Sequence, residues 1–285
     1  MTQATLTQLF YSPPLWLALV FALAFAAAAW GIRLLTFSGA VSTAIIGFIV
    51  FGLGGGKFLV PLLTFFLTSS LLSRLGKARK ANANAQDAKS ATRDAAQVWA
   101  NGAIAVLMVL LFAYFVRIWP AYKTRLFLML FLAALATVNA DTWATEIGKL
   151  SRRSPRLLSN WSQVAPGTSG AISGLGLFAG MLGSMLIPLV SYRLWNLQIA
   201  EFVAVAWAGF LGCFIDSLIG ASVQAKFRDP VTGEITERTE IRGRRTHHFR
   251  GIRWLNNDWV NLLAGAGGAL CAWILLNWAV YPYFQ

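Results

Sequence analysis

Apolar residues run along this chain in long blocks, interrupted by short clusters of arginine, lysine and glycine. Eight blocks approach or exceed the roughly 20 apolar residues that cross a bilayer. They cover residues 14–35, 39–56, 58–75, 96–119, 125–147, 170–191, 199–223 and 258–281. The second and third are short and joined by Gly-Leu-Gly-Gly-Gly-Lys, so a tilted, re-entrant or broken arrangement is open there, and seven spans is the other count. The pattern predicts an all-α fold: a polytopic transmembrane helical bundle of about seven to eight spans with short basic loops.

Composition agrees. Of 285 residues, 57% are hydrophobic and only 12% charged, against about 25% charged in a soluble domain. The net charge of +13 is explained by where the cations fall. With eight spans, 19 of the 24 Lys and Arg residues lie in one set of alternate loops, leaving Lys57, Arg117, Lys123, Arg125 and Arg193 on the other side. The positive-inside rule makes the richer side cytoplasmic and puts both termini outside, as expected for a multi-pass protein of the cell (inner) membrane. Topology accounts for the basic stripes, so a nucleic-acid partner is not expected. Cys213 and Cys271 both fall within spans without a Cys-x-x-Cys, which supports neither a disulfide framework nor a thiolate zinc site. The first apolar run lacks a preceding cation and reads as a retained span rather than a signal peptide.

No tandem repeat or composition break divides the chain, so residues 1–285 are expected to form a single integral membrane domain. Its basic loops cover about 76–95, 148–169 and 224–257. The last contains Asp229-Pro230 and Thr232-Gly233 between alternating residues, which suggests a small hairpin. His247 and His248 lie there among arginines and read as a solvated surface.

An ionisable residue inside a span costs about 2.5–3.5 kcal/mol, and such residues usually face a cavity or a partner. Four polar blocks stand out, all at cytoplasmic ends of spans. In residues 138–148, Asn139, Thr142 and Glu146 share one helical face while Asp141 and Thr145 share another. Asp141 and Glu146 are then about 140° apart, so a regular helix cannot aim both at one ligand. The expectation is an unwound or split helix near Asp141; an intact one assigns Glu146 a structural role. In residues 209–224, Gly209, Gly212, Asp216, Gly220 and Gln224 form one stripe, with an acid set in a face small enough for close helix approach. In residues 256–261, Asn257, Asp258 and Asn261 fall within a turn, although an Asn or Asp there also suits an N-cap. Arg93, Gln97 and Asn101 form a polar stripe entering the fourth span; snorkelling explains Arg93 but not the deeper Asn101.

Between these blocks lies Ala165-Pro166-Gly167-Thr168-Ser169-Gly170, just before a span, where backbone N–H groups and the helix dipole favour anions. Beside Arg152, Arg153 and Arg156 it suggests a phosphate cradle, although it is not a Walker A loop. Several acids, arginines, an anion-binding turn and a greasy surround fit a divalent cation with a phosphate substrate. Magnesium takes one or two carboxylates plus phosphates and waters, and phosphoryl transfer needs positioning and charge neutralisation more than a covalent nucleophile. A lipid with a phosphate head would reach such a site laterally, leaving its tail in the bilayer.

The blocks Asn139–Gly148, Ser154–Ser173, Gly212–Gln224, Arg93–Gly102 and Leu255–Leu263 resemble the integral membrane family that contains plant phytyl-phosphate kinases, from about Leu35 to about Leu275. That family is distantly similar to phytol and dolichol kinases and to phosphatidate cytidylyltransferases. The resemblance implies phosphorylation of an isoprenyl monophosphate, such as phytyl or geranylgeranyl phosphate, to its diphosphate. It implies Mg2+ and a nucleoside triphosphate, with CTP favoured, and in the plant members a place in tocopherol and phylloquinone salvage. Carried over by residue, it gives Asp141, Glu146 and Asp216 as catalytic. Gly167, Thr168, Ser169 and Gly170 are implied to bind phosphate or nucleotide, with Arg152, Arg156, Arg93 and Asn101. Asp141, Asp216 and Asp258 would hold the metal, and Asn139, Thr145, Asn257, Asn261 and Gln224 would support the site. Two positions depart from many relatives. Ala140 stands where glycine is common, and Gln163 replaces a lysine before the turn, whose phosphate contact would pass to Arg152 or Arg156.

A lipid cytidylyltransferase or prenyl-alcohol kinase would use similar residues and differ in product. A transporter also carries buried acids and broken helices, but it predicts two similar halves and no internal repeat is visible. The expected partners are an isoprenyl-phosphate lipid, a nucleotide and membrane lipids; a homodimer is left open.

Overall fold

The structure is a computed structural model that describes residues 13–75, 92–119, 121–241 and 243–280, without the side chains of 121–123, 279 and 280. Most of the basic loop expected over 76–95 therefore lies outside the described residues. Eight helices follow the apolar blocks: α1 (Leu15–Gly31), α2 (Phe37–Gly54), α3 (Gly56–Arg74), α4 (Ala95–Phe115), α5 (Ala121–Gly148), α6 (Gly174–Trp195), α7 (Ile199–Ser222) and α8 (Asn257–Leu275). Seven of them are long and apolar enough to cross a membrane, while α1, with 17 residues, is shorter. α2 and α3 are two separate helices of 18 and 19 residues that meet at Gly55, whose φ of 69° makes the break.

Local chemistry sets the ends. Ser173 caps α6 by accepting from the Gly176 N–H at 3.1 Å, and Asp94 caps α4 by accepting from Gln97 N–H at 2.9 Å. Asn196 in the left-handed region stops α6, the ordinary exit for a helix that has no glycine there.

The bundle is built around α5. Leu128, Met129, Phe131, Leu132, Leu135 and Ala136 are all buried in its core, and α3, α4, α6, α7 and α8 each pack against it. Glycines allow this crowding: a Cβ at Gly212 or Gly268 would collide with the Thr137 hydroxyl of α5, so α7 and α8 approach at backbone distance. Outer faces keep large apolar side chains exposed, Trp16, Leu19, Phe178 and Leu189 among them, as a bilayer-facing surface requires. At the end where α5 and α7 begin, Arg125 on α5 meets Glu201 on α7 at 2.5 Å, with Glu201 fully buried. Nearby, Phe58 packs against Phe112, Phe131 and Trp195.

The expected hairpin is present and belongs to a larger unit. β1 (Arg156–Leu157) pairs antiparallel with β2 (Ala171–Ile172). β3 (Lys226–Arg228) sits between β4 (Ile235–Thr236) and β7 (His247–Arg250) in a three-stranded sheet, and β5 (Glu240–Ile241) pairs with β6 (Arg244–Arg245). His247 and His248 are exposed on β7.

Candidate active site

A polar cavity of about 470 Å3 opens where α3, α5 and α7 end and α4, α6 and α8 begin. It gathers Asp141, Thr145 and Glu146 from α5, Asp216 from α7, Asn257 and Asn261 from α8, Arg93 and Asn101 from the start of α4, and the Gly167–Gly170 turn. These blocks are up to 168 residues apart in sequence, and they converge because the helices that end and the helices that begin here do so on the same side of the bundle.

Asp216 is held by a chain of carboxamides. Asn261 satisfies its surroundings with its nitrogen turned to α7, donating to Asp216 Oδ2 at 3.1 Å and to the Asn257 carbonyl at 3.2 Å. Its oxygen then accepts from the Asn101 carboxamide at 3.2 Å, with Asn101 turned the same way. The depth of Asn101, which snorkelling could not explain, follows: it braces the residue that braces the acid.

α5 is one unbroken helix through Asp141, which corrects the expectation of a split there. The two acids nevertheless line one cavity, because the cavity wraps around the end of α5. Glu146 lies 3.8 Å from Lys149 one turn on and also faces Arg93. Burial lowers the Arg93 guanidinium to about 10, and the Glu146 carboxylate opposes that fall. The Arg93 guanidinium lies 5.6 and 5.7 Å from the rings of Phe65 and Phe66. Its backbone is fixed by Arg93 N–H to the Leu34 carbonyl and by Thr36 N–H to its own carbonyl, at 3.0 and 2.9 Å. Glu146 is thus set among cations rather than aimed with Asp141 at one point.

The phosphate-type turn is built differently from a helix start. β2 separates it from α6, which begins only at Gly174, so the turn lies outside the first helical turn where the dipole acts. What shapes it is local. Gly167 and Gly170 have φ of 88° and 79°, Thr168 Oγ1 donates to the Ala165 carbonyl at 2.7 Å, and Ser169 Oγ donates to Gln224 Oε1 at 2.5 Å. The N–H groups of Ser169 and Gly170 have no backbone partner among the described residues. Gln224 is buried and holds Ser169 from behind the turn. That stripe divides its work: Gly209 and Gly212 admit α5, Asp216 faces the cavity, and Gly220 and Gln224 seat the turn.

Several expected residues stand elsewhere. Asn139 is fully buried and clamps helices, donating to the Gly183 carbonyl at 2.7 Å and accepting from Thr68 Oγ1 at 3.1 Å. Asp258 lies in the first turn of α8 off the cavity wall, beside the N-cap Asn256, which accepts from Asp258 and Trp259 N–H. Arg156 is exposed and donates to the Trp161 carbonyl at 2.9 Å, and Arg152 is exposed off the wall; neither takes the place of the lysine that Gln163 replaces. Cations on the wall come instead from Lys149 and Arg238, with Glu237 beside the latter. Glu237 accepts from Lys226 Nζ at 2.7 Å, which ties this part of the sheet to its own strand β3. Lys149 was visible only as a topology cation, and nothing in the spacing marked Arg238.

No three His, Cys, Asp or Glu side chains come together as a metal cage among the described residues. The expected three-acid set therefore reduces to Asp141 and Asp216. Asp141 and Asp216 offer carboxylate oxygens from two helices on one cavity wall, the ligand type magnesium would take beside phosphates and water.

No solved structure matches the chain. By sequence it is 34% identical to the uncharacterized membrane protein MJ0933 of Methanocaldococcus jannaschii over 238 residues, covering 84% of both chains. It is 28% identical to Protein PGR of Arabidopsis thaliana over 249 residues, covering 79% of this chain and 84% of that one. It is 24% identical to the chloroplastic Protein VTE6 of the same plant over 249 residues, covering 86% and 67%. Residues 20–269, which hold every residue of the cavity wall, match the family described as Integral membrane protein DUF92, and the chain belongs to that family.

Proposed function

We propose that this protein is a membrane kinase that transfers a phosphoryl group from a nucleoside triphosphate, with CTP favoured, to an isoprenyl monophosphate. The carrying observation is the cavity itself, where Asp141 and Asp216, the cations Arg93, Lys149 and Arg238, and the Gly167–Gly170 turn meet at one end of an apolar bundle. The resemblance of these blocks to the family of plant phytyl-phosphate kinases supports the substrate class.

The acceptor needs no strong base. A phosphate monoester loses its second proton near about 6, so its oxygen attacks the γ-phosphorus directly while the bond to the β–γ bridging oxygen breaks and the nucleoside diphosphate leaves. The protein's task is to hold two anionic phosphates in line. Arg93 and Lys149 offset the charge of the acceptor, with Glu146 keeping both cations oriented. The turn receives the nucleotide phosphates through its N–H groups, and Arg238 faces them from the sheet. Asp141 and Asp216 would hold magnesium, which would supply charge neutralisation at the phosphates. The cavity gathers cations, so the positive-inside rule would make its side cytoplasmic, and with eight crossings both termini would lie outside.

Purified protein given phytyl or geranylgeranyl monophosphate, magnesium and each triphosphate tests the reading. Prenyl diphosphate with released nucleoside diphosphate supports it. Released pyrophosphate points to cytidylyl transfer, phosphorylation of the free alcohol to an alcohol kinase, and uptake into proteoliposomes without nucleotide turnover to a transporter.

A further inference from the structure

A second space lies beside the polar cavity, between α1, α2, α3 and α4. Its walls are apolar: Phe21 and Phe25 from α1, Ile46 from α2, Leu62 and Phe66 from α3, and Gly102 from α4. Arg93, Gln97 and Asn101 line both spaces, so the apolar groove begins where the polar cavity ends. α3 contributes wall residues from Leu59 to Phe66, a run of about 10 Å along the helix at 1.5 Å per residue. With about 60 Å3 of free space against about 470 Å3 for the polar cavity, it is narrow.

Three features identify the occupant. The groove is continuous with Arg93, a cation suited to a phosphate. Its lining beyond Arg93, Gln97 and Asn101 is almost wholly apolar, which suits hydrocarbon. Its small volume, about 60 Å3, leaves less room for a diacyl pair than for one chain. We infer that this groove holds the phosphate-proximal part of the tail of a single-chain lipid monophosphate, with the phosphate at Arg93 and the distal tail in the bilayer. The inference rests on the proposed function for the head group alone.

Gly47 is the position for testing the tail assignment. It lines the groove, and a Cβ there would meet Ala22 Cβ at 3.5 Å, ordinary contact; the bulk of a leucine must be taken from the groove or pressed on α1, and melting in detergent tells these apart. At Gly31, outside the groove, a Cβ would meet nothing within 4 Å, so Gly31→Leu is the control of equal bulk. The full-length protein in nanodiscs is photolabelled with a geranylgeranyl monophosphate carrying a diazirine near the phosphate, and the labelled peptides are mapped. Labelling is expected on Phe25, Ile46 or Leu62, displaced by unlabelled geranylgeranyl monophosphate but not by diacyl phosphatidate. Gly47→Leu is expected to weaken this labelling about tenfold and to lower the preference for geranylgeranyl over dimethylallyl monophosphate by the same factor, with Gly31→Leu changing neither. Labelling spread over the outer belt, equal displacement by phosphatidate, or a Gly47→Leu protein that labels like wild type overturns the inference. Because labelling does not depend on turnover, groove labelling without diphosphate product leaves the tail site standing and removes the kinase reading.

Discussion

Gly170→Ala isolates the turn from everything else in the cavity. The new methyl carbon would stand 2.1 Å from the Ala221 nitrogen and 2.5 Å from its Cα, at a φ of +79°. Both atoms are backbone, so no side chain can swing aside. A left-handed backbone with a Cβ costs about 1–2 kcal/mol, and forcing a methyl into a packed contact costs about 1–3 kcal/mol more. Relief comes by sliding the turn off α7, which also pulls Ser169 from Gln224. Displacement of a binding group by about 1 Å costs on the order of 100-fold in rate, so kcat/KM for diphosphate formation is expected to fall about that far. Gly174→Ala, four residues on, is the matched control. Nothing lies within 4 Å of its Cβ site, and alanine at a helical position stabilises by up to about 1 kcal/mol. The assay is the release of nucleoside diphosphate from purified variants, alongside their melting in detergent. If Gly170→Ala turns over like wild type, or Gly174→Ala is equally damaged, the turn does not position phosphate.

Asp141→Asn and Asp216→Asn should each lower turnover by at least about 100-fold with unchanged melting, and Asn261→Ala should lower it about 10- to 100-fold while raising the magnesium needed; full turnover in both acid variants removes the metal assignment. Arg93 stands at about 10, so it stays charged through pH 9 and adds no alkaline limb to the wild-type profile. The same burial lowers a lysine from its ordinary value of about 10.4 by desolvation, so Arg93→Lys should introduce a loss of activity on the alkaline side. For stability the sign is that of a cation whose folded value is depressed. Above about pH 10 the unfolded chain holds the proton more tightly than the folded one, so this group's cost is relieved as pH rises further. Arg125→Ala leaves the fully buried Glu201 carboxylate without its guanidinium and should destabilise the bundle by about 3–5 kcal/mol, read as a fall in melting temperature that Arg125→Ala/Glu201→Gln partly reverses.

The helices were legible because bilayer crossing demands long apolar runs, and the side of the site because its polar blocks and the cations share the same span ends. Asn101 was visible as too deep for a snorkelling stripe, and Gln224 as the end of a small-residue stripe. Helical phase alone did not predict that a cavity could wrap the tip of α5, so Asp141 and Glu146 seemed to need a broken helix. Asn139 and Asp258 carry side chains suited to a site, yet one is turned into a helix seam and the other sits in a capped first turn. Arg238 was hidden because its place depends on sheet pairing of β3 with β4 and β7, contacts without a sequence period.

The Arg125–Glu201 pair reaches further than its own end of the bundle. α5 carries Arg125 and Asp141, 16 residues apart, and α7 carries Glu201 and Asp216, 15 apart. At 1.5 Å per residue both acids stand about 22–24 Å above the same ion pair. The pair is a levelling mark set on the far face of the membrane: slip one helix by a single residue and the relative height of the two acids changes by about 1.5 Å. Tolerance to substitution at that distant end is therefore set by the alignment of a site on the opposite side of the bilayer.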